Sequence, residues 1–210
     1  MSNIPEFKVA FKSESLLMKI IGKILFFNKT FMTSYTTTLG RTIYFTDRKY
    51  VKAHPVSTKV ALVHELIHVK DYEDSGLRFQ LGYAMPQILS VLAFPLFLIA
   101  PWWACLAWFA FFLAPLPAFF RMKSEEKAYT FSLYALHKLN VKNGYNIDLK
   151  AQAVQYTSNF KNSGYYFMWP FFTDTHFMTA VSEIQAGRKP FYDVSFYDMA
   201  DAILELDVKI

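Results

Sequence analysis

Val60-Ala61-Leu62-Val63-His64-Glu65-Leu66-Ile67-His68-Val69 is the stretch around which the chain is organised. On an α-helix, residues four apart lie one turn above each other on the same face. His64 and His68 therefore direct two imidazoles at one point, with Glu65 beside them. Two neutral imidazoles suit Zn²⁺, and an adjacent carboxylate can take a proton from a water that the ion polarises. Val60, Leu62, Val63, Leu66, Ile67 and Val69 mark the helix as a buried one. Two histidines and a glutamate inside such a helix are costly unless a partner satisfies them. Ser57 or Thr58, after Pro55, is the expected N-cap, and the helix is expected to run from about Ser57 to Asp74. Asp71 shares the face of the two histidines and is a candidate to hydrogen-bond an imidazole N–H.

Composition bounds what surrounds this helix. The chain has 210 residues, 53% of them hydrophobic and 19% aromatic, which fits one main domain with attachments and leaves apolar surface in abundance. A net charge of +5 is spread along the chain without the dense basic stripe of a nucleic-acid binder. The single cysteine, Cys105, excludes an internal disulfide framework and a cysteine-rich metal site; within its apolar run it is expected to be buried and inert. Glu6 and Glu14 precede the first apolar run, and no small-residue cleavage site follows it. That pattern is not a secretory signal, so synthesis in the cytoplasm is expected.

Working outward, residues 15–32 are expected to form a basic amphipathic helix. Lys19 and Lys23 lie on one side and Leu16, Ile20, Ile24 and Phe27 on the other, suited to an anionic membrane surface or to the domain itself. Tyr35–Leu39 and Thr42–Thr46 are rich in threonine and aromatics, and Gly40 divides them into two strands.

Phe79–Phe120 contains no charged residue. Leu81–Ala100 and Trp102–Phe120 are each near the length of one bilayer crossing, with Pro101-Trp102-Trp103 as the turn. Pro86, Pro95, Pro115 and Pro117 also allow a shallow re-entrant hairpin. Arg78, Arg121 and Lys123 flank the segment and point its base toward the cytoplasm. The expected cover for 83–120 is a membrane or an apolar protein partner, a second copy of the chain included.

Beyond it, Glu125-Glu126-Lys127-Ala128-Tyr129 opens a helix continuing through Phe131, Leu133, Leu136 and Leu139 and stopping at Asn143-Gly144. Taken alone, two glutamates at a helix start complement its dipole. Further helices are expected over 151–160 and 196–206. An aromatic segment between them, Gly164–Phe172, is expected to wall a cleft or pack on the hairpin base.

The His64-Glu65-x-x-His68 helix and the Glu125-x-x-Ala128-Tyr129 element together resemble the small zincin-like metallopeptidases of bacteria and their phages, of gluzincin type. The likeness extends over Thr37–Phe45, the apolar hairpin and the aromatic segment, about two-thirds of the chain. It implies an α+β, mainly α fold: a zincin-like core of short sheet, histidine helix and glutamate helix, with an inserted apolar helical hairpin. The implied organisation is an N-terminal helix (1–32), a core (33–82 and 121–160), the hairpin (83–120), and the aromatic segment with a last helix (161–210).

The resemblance implies Zn²⁺ held by His64, His68 and Glu125, with Glu126 the fallback one residue out of register, and Glu65 as general base toward a peptide or protein substrate. It further implies that Thr42, Ile43, Tyr44 and Phe45 form the edge strand that pairs with substrate. His176, Tyr165, Tyr166 and Tyr129 are candidates to stabilise an oxyanion, while His54 and His137 are expected to be structural. Tyr129 departs from the Asp common in larger gluzincins. The implied location is the cytoplasmic face of a bacterial membrane, or a virion. A different class of function is a catalytically silent zincin fold serving membrane association or virion assembly. An intact His64, Glu65, His68 and Glu125 set weighs against it.

Overall fold

The computed structural model describes residues 4–24, 30–114, 116–161, 168 and 172–206. The fold is mainly helical, with one small mixed sheet of three strands. Strand β1 (Lys8–Phe11) precedes helix α1 (Leu16–Ile24). Strands β2 (Thr37–Leu39) and β3 (Thr42–Phe45) form a hairpin turning at Gly40, whose φ of +59° favours glycine. Thr38 pairs antiparallel with Ile43, while β1 runs parallel to β3 with Val9 opposite Ile43.

The strand order β1-β3-β2 makes β3 the centre of the sheet, not its edge. The expectation for Thr42, Ile43, Tyr44 and Phe45 is corrected accordingly: Ile43 and Phe45 are buried, the two edges are β1 and β2, and the edge strand beside Glu65 is β2, through Thr38. The physical reason is β1, a four-residue strand whose parallel pairing occupies the other side of β3.

After a short helix α2 (Arg48–Ala53) comes α3 (Pro55–Ser75), which carries the two histidines. It starts at Pro55 rather than at a serine or threonine cap, because proline's fixed φ is already helical and its missing N–H is not needed in the first turn. Gly76, at φ +56°, ends it. Leu62, Val63, Leu66, Ile67 and Val69 are wholly buried, each worth about 1.5–3 kcal/mol. With apolar residues on every side through this stretch, α3 is covered all round.

Its principal partner is α7 (Phe119–Asn143), which ends at Gly144 in the left-handed conformation as Asn143-Gly144 foretells. Helices α8 (Leu149–Lys161), α9 (Thr173–Gln185) and α10 (Val194–Glu205) complete the core. Phe131 of α7 packs among Tyr192, Phe196 and Tyr197. Met168 bridges Ala118 at the hairpin base, and the remaining aromatic residues from 162 to 171, Tyr165 and Tyr166 among them, lie outside the described residues.

Between α3 and α7 the chain forms α4 (Leu77–Ala84), a 3₁₀ segment (Gln87–Leu92), α5 (Ala93–Leu96) and α6 (Trp102–Leu113). The two long helices expected over Leu81–Ala100 and Trp102–Phe120 are broken into shorter ones. Among the described residues no single helix is long and apolar enough to cross a membrane. The 77–84 and 87–96 helices would reach the length together but are bent by 89°. At 12 residues, α6 spans about 18 Å of the about 30 Å required. Prolines account for the breaks: Pro86 follows the end of α4, Pro95 lies within α5, and Pro101 caps α6.

The segment is nevertheless a folded hairpin, with Trp108 Nε1 donating to the Leu89 carbonyl at 2.9 Å and Phe94 against Phe109. Cys105 is buried within it, as expected. Leu98 and Ile99 at its tip are 86% and 84% exposed, and Trp102 and Trp103 also face outward. At the N-terminus, α1 buries Met18 and exposes Leu16, Leu17 and Ile20. The chain turns at Thr30–Thr33, so the expected helix does not extend to residue 32.

Candidate metal centre

Glu125 sits in the second turn of α7, where the packing of α7 on α3 brings its carboxylate to the two imidazoles. His64 Nε2 is 3.3 Å from Glu125 Oε2, and His68 Nε2 is 3.4 Å from Oε1. One donor atom from each of the three buried residues lies within 4.8 Å of the others, a group that can hold a metal ion. Glu125 Oε2 is a buried oxygen that makes no hydrogen bond despite its proximity to His64. An oxygen desolvated in this way is costly unless something else coordinates it. Burial alone raises the carboxyl's pKa, but the charge of His68 and the contacts with both imidazoles prevail and hold it well below the ordinary carboxylate range. Burial likewise works against charge on His68. The carboxylates of Glu125, Glu65 and Asp71 outweigh it and shift this imidazole upward.

Both imidazoles are oriented from behind by hydroxyls of α7. His64 Nδ1 meets Ser132 Oγ at 3.2 Å, and His68 Nδ1 meets Ser124 Oγ at 3.1 Å. Ser132 gives its own proton to the Ala128 carbonyl at 3.2 Å, so it accepts from His64 Nδ1–H. That assignment leaves the Nε2 lone pair for a ligand. The edge of the His64 ring also meets Tyr129, centroids 4.7 Å apart. Tyr83 donates to Glu125 Oε1 at 2.6 Å, fixing the carboxylate from the hairpin side. Burial and the Glu125 charge push that phenol's pKa upward, keeping it a donor.

Glu65 points elsewhere. Thr38 of β2 donates to Glu65 Oε2 at 2.7 Å, tying the carboxylate to the sheet edge. Glu65 and His64 line two cavities, one of about 480 Å³ and one of about 610 Å³.

Other candidates are placed differently. Asp71 pairs with Lys127 at 2.6 Å and bonds neither imidazole, because Ser124 and Ser132 already occupy both Nδ1 positions. Glu126 turns away from Glu125 to Lys123, 2.7 Å away. His176 joins Thr130 at 3.0 Å and stacks on Phe191. It lines neither cavity among the described residues, so it is not positioned as an oxyanion donor. His54 is structural, stacked on Tyr50 with its Nδ1 at the Tyr50 carbonyl.

Ser124, Ser132, Thr38 and Tyr83 carry no motif of their own. A helical wheel of α7 is the signal that could have found the serines: Ser124 precedes Glu125, and Ser132 lies seven residues beyond it, two turns along the same face. Replacing either serine with alanine is expected to weaken metal affinity about 10–100-fold, measured by competition with a chromophoric chelator.

No protein-family model, no curated protein and no solved structure matches this chain.

Proposed function

We propose that the chain is a zinc-dependent metallopeptidase with a zincin-like core of gluzincin type. The observation that carries this is the arrival of Glu125 at the imidazole pair from a helix more than fifty residues on, with a buried oxygen lacking a hydrogen bond. Two imidazole nitrogens and one carboxylate, all neutral or anionic donors, match the ligand set of catalytic zinc. When bound, zinc supplies a Lewis acid that polarises the scissile carbonyl and acidifies a water.

The residues divide the remaining work. Glu65, held by Thr38, takes the proton of the attacking water and passes it to the leaving amine. The β2 edge receives the substrate backbone as an added strand. Tyr83 restrains Glu125, Ser132 keeps His64 in the ligating tautomer, and Ser124 orients the His68 ring. The testing experiment is elemental analysis of the purified chain, followed by cleavage of a generic peptide pool with and without chelator. One zinc per chain and chelator-sensitive cleavage are expected; zinc-independent cleavage, or none, contradicts the proposal.

The exposed hairpin supports a second element of the proposal: seating on a membrane without crossing it, at the cytoplasmic face of a bacterial membrane. Leu98, Ile99, Trp102 and Trp103 form its apolar tip, and α1 adds Leu16, Leu17 and Ile20 beside Lys19 and Lys23. Exposed apolar area of this extent marks an interaction surface. The chain is expected to float with vesicles of phosphatidylcholine and phosphatidylglycerol, and the L98D/I99D double substitution to leave it in the pellet-free soluble fraction. Unchanged flotation of that variant would remove the hairpin from membrane contact.

A further inference from the structure

The two cavities beside the metal ligands differ in chemistry: the larger runs along all of β2 to Gly40, and the smaller begins at the residues that precede the strand. The smaller is lined by Ser34, Ser57, Tyr129, Ser132, Gln152 and Tyr156 together with Val56, Val60 and Leu136, a mixed surface. Among the described residues the larger carries Phe31, Leu39, Leu77, Phe79, Leu81 and Ile88 on its apolar side, with Gln80, Arg121 and the metal ligands on the other. Leu77 and Leu81 are exposed at its rim, so the apolar wall continues onto the surface of α4 and the hairpin. Tyr35, Thr36, His64 and Glu65 line both cavities, which makes them two halves of one cleft, with His64 and Glu65 at the junction and His68 and Glu125 on the larger side.

Strand direction gives this cleft a polarity. The chain passes Ser34 in the mixed half and Tyr35–Thr36 at the junction, then runs through β2 and Gly40 in the apolar half. A peptide added to the β2 edge gains most per residue by running antiparallel to it. Its amino-terminal part then lies in the apolar half and its carboxyl-terminal part in the mixed half. From this geometry we infer that the substrate is a peptide with large apolar residues on the amino side of the scissile bond and polar or small residues on the carboxyl side. This inference rests on the peptidase reading for the cut itself, while the direction and seating of the peptide stand on the cavities and β2.

The apolar half, at about 610 Å³, is of a size that encloses several large side chains. Its opening toward α4 and the hairpin suits a chain whose apolar segment extends away from the cut along that surface. The polar carboxyl flank meets Gln152, Tyr156 and Ser57 instead.

The test uses the full-length Glu65→Gln chain loaded with zinc and two synthetic peptides of equal composition. One carries its aromatic and long aliphatic residues in the amino half, the other in the carboxyl half. Each has a benzoylphenylalanine at either end of its apolar block, and cross-linked residues are mapped by mass spectrometry. The amino-apolar peptide is expected to bind about tenfold or more tightly than its mirror composition. Its label is expected on residues 77–88, and a label moved to its carboxyl half on residues 56–61. The inverse pattern, equal binding of the two peptides, or labelling of neither region overturns the inference. Hydrolysis by the wild-type chain is read separately. Correct cross-links with no cleavage would overturn the peptidase reading and leave the seating of the peptide intact.

Discussion

Replacing Glu65 with glutamine is expected to reduce peptide hydrolysis by about 10³-fold while leaving one zinc per chain. The substitution keeps the volume and a hydrogen-bond acceptor for Thr38, so the β2 edge and the two imidazoles stay where they are. What it removes is the ability to accept a proton from the attacking water. A metal ligand would behave differently: its loss would empty the site. Glu65 is not among the three residues whose donor atoms converge, which is why the two effects separate. The measurement is paired, with zinc content by elemental analysis and kcat/KM on a peptide that the wild-type chain cleaves. Activity within a few-fold of wild type would rule out Glu65 as the base.

Glu125→Ala is expected to do the reverse of Glu65→Gln and strip the metal itself. It removes the only carboxylate in the converging group, and it leaves two imidazoles with a cavity beside them. Loss of stoichiometric zinc after dialysis against a weak chelator should accompany loss of all activity. Glu126→Ala is the internal control. Its carboxylate lies 2.7 Å from Lys123, so that variant should keep its zinc and most of its activity. Zinc retained in Glu125→Ala and lost in Glu126→Ala would shift the ligand assignment by one residue and reopen the packing of α7 on α3.

The part of the site that the sequence makes legible is the part set by helical periodicity. His64 and His68 are four apart on an apolar helix; Glu125 is favoured over Glu126 by the family resemblance of Glu125-x-x-Ala128-Tyr129 and not by periodicity, and its carboxylate is the one that meets the imidazoles. Contacts made across elements are another matter. The spacing of Ser124 and Ser132 puts them near Glu125 on α7, but which imidazole of α3 each one meets is set by the packing of the two helices. Asp71 shares the histidine face by periodicity, yet Lys127 offers it a stronger partner than an imidazole already bonded to a serine.

The sheet shows the same division. β2 and β3 are legible from their threonines and the Gly40 turn, whereas their rank in the sheet depends on β1, which lies far upstream and is only four residues long. In the hairpin, hydropathy identifies the apolar segment correctly but overstates its span. Proline placement decides where helices break, and window-averaged apolarity does not register it. The tip residues that hydropathy marks as apolar are the ones left exposed, which is the feature that points to an outside partner.

The central claim is that His64, His68 and Glu125 hold one zinc ion, and zinc K-edge X-ray absorption on the purified full-length chain tests it most directly. The account predicts one zinc per chain in a four-coordinate shell of nitrogen and oxygen at about 2.0–2.1 Å, with the outer-shell scattering of two imidazoles. It also predicts that His64→Ala loses the bound ion. A chain that takes up no zinc, or a zinc shell without two imidazoles, would contradict it.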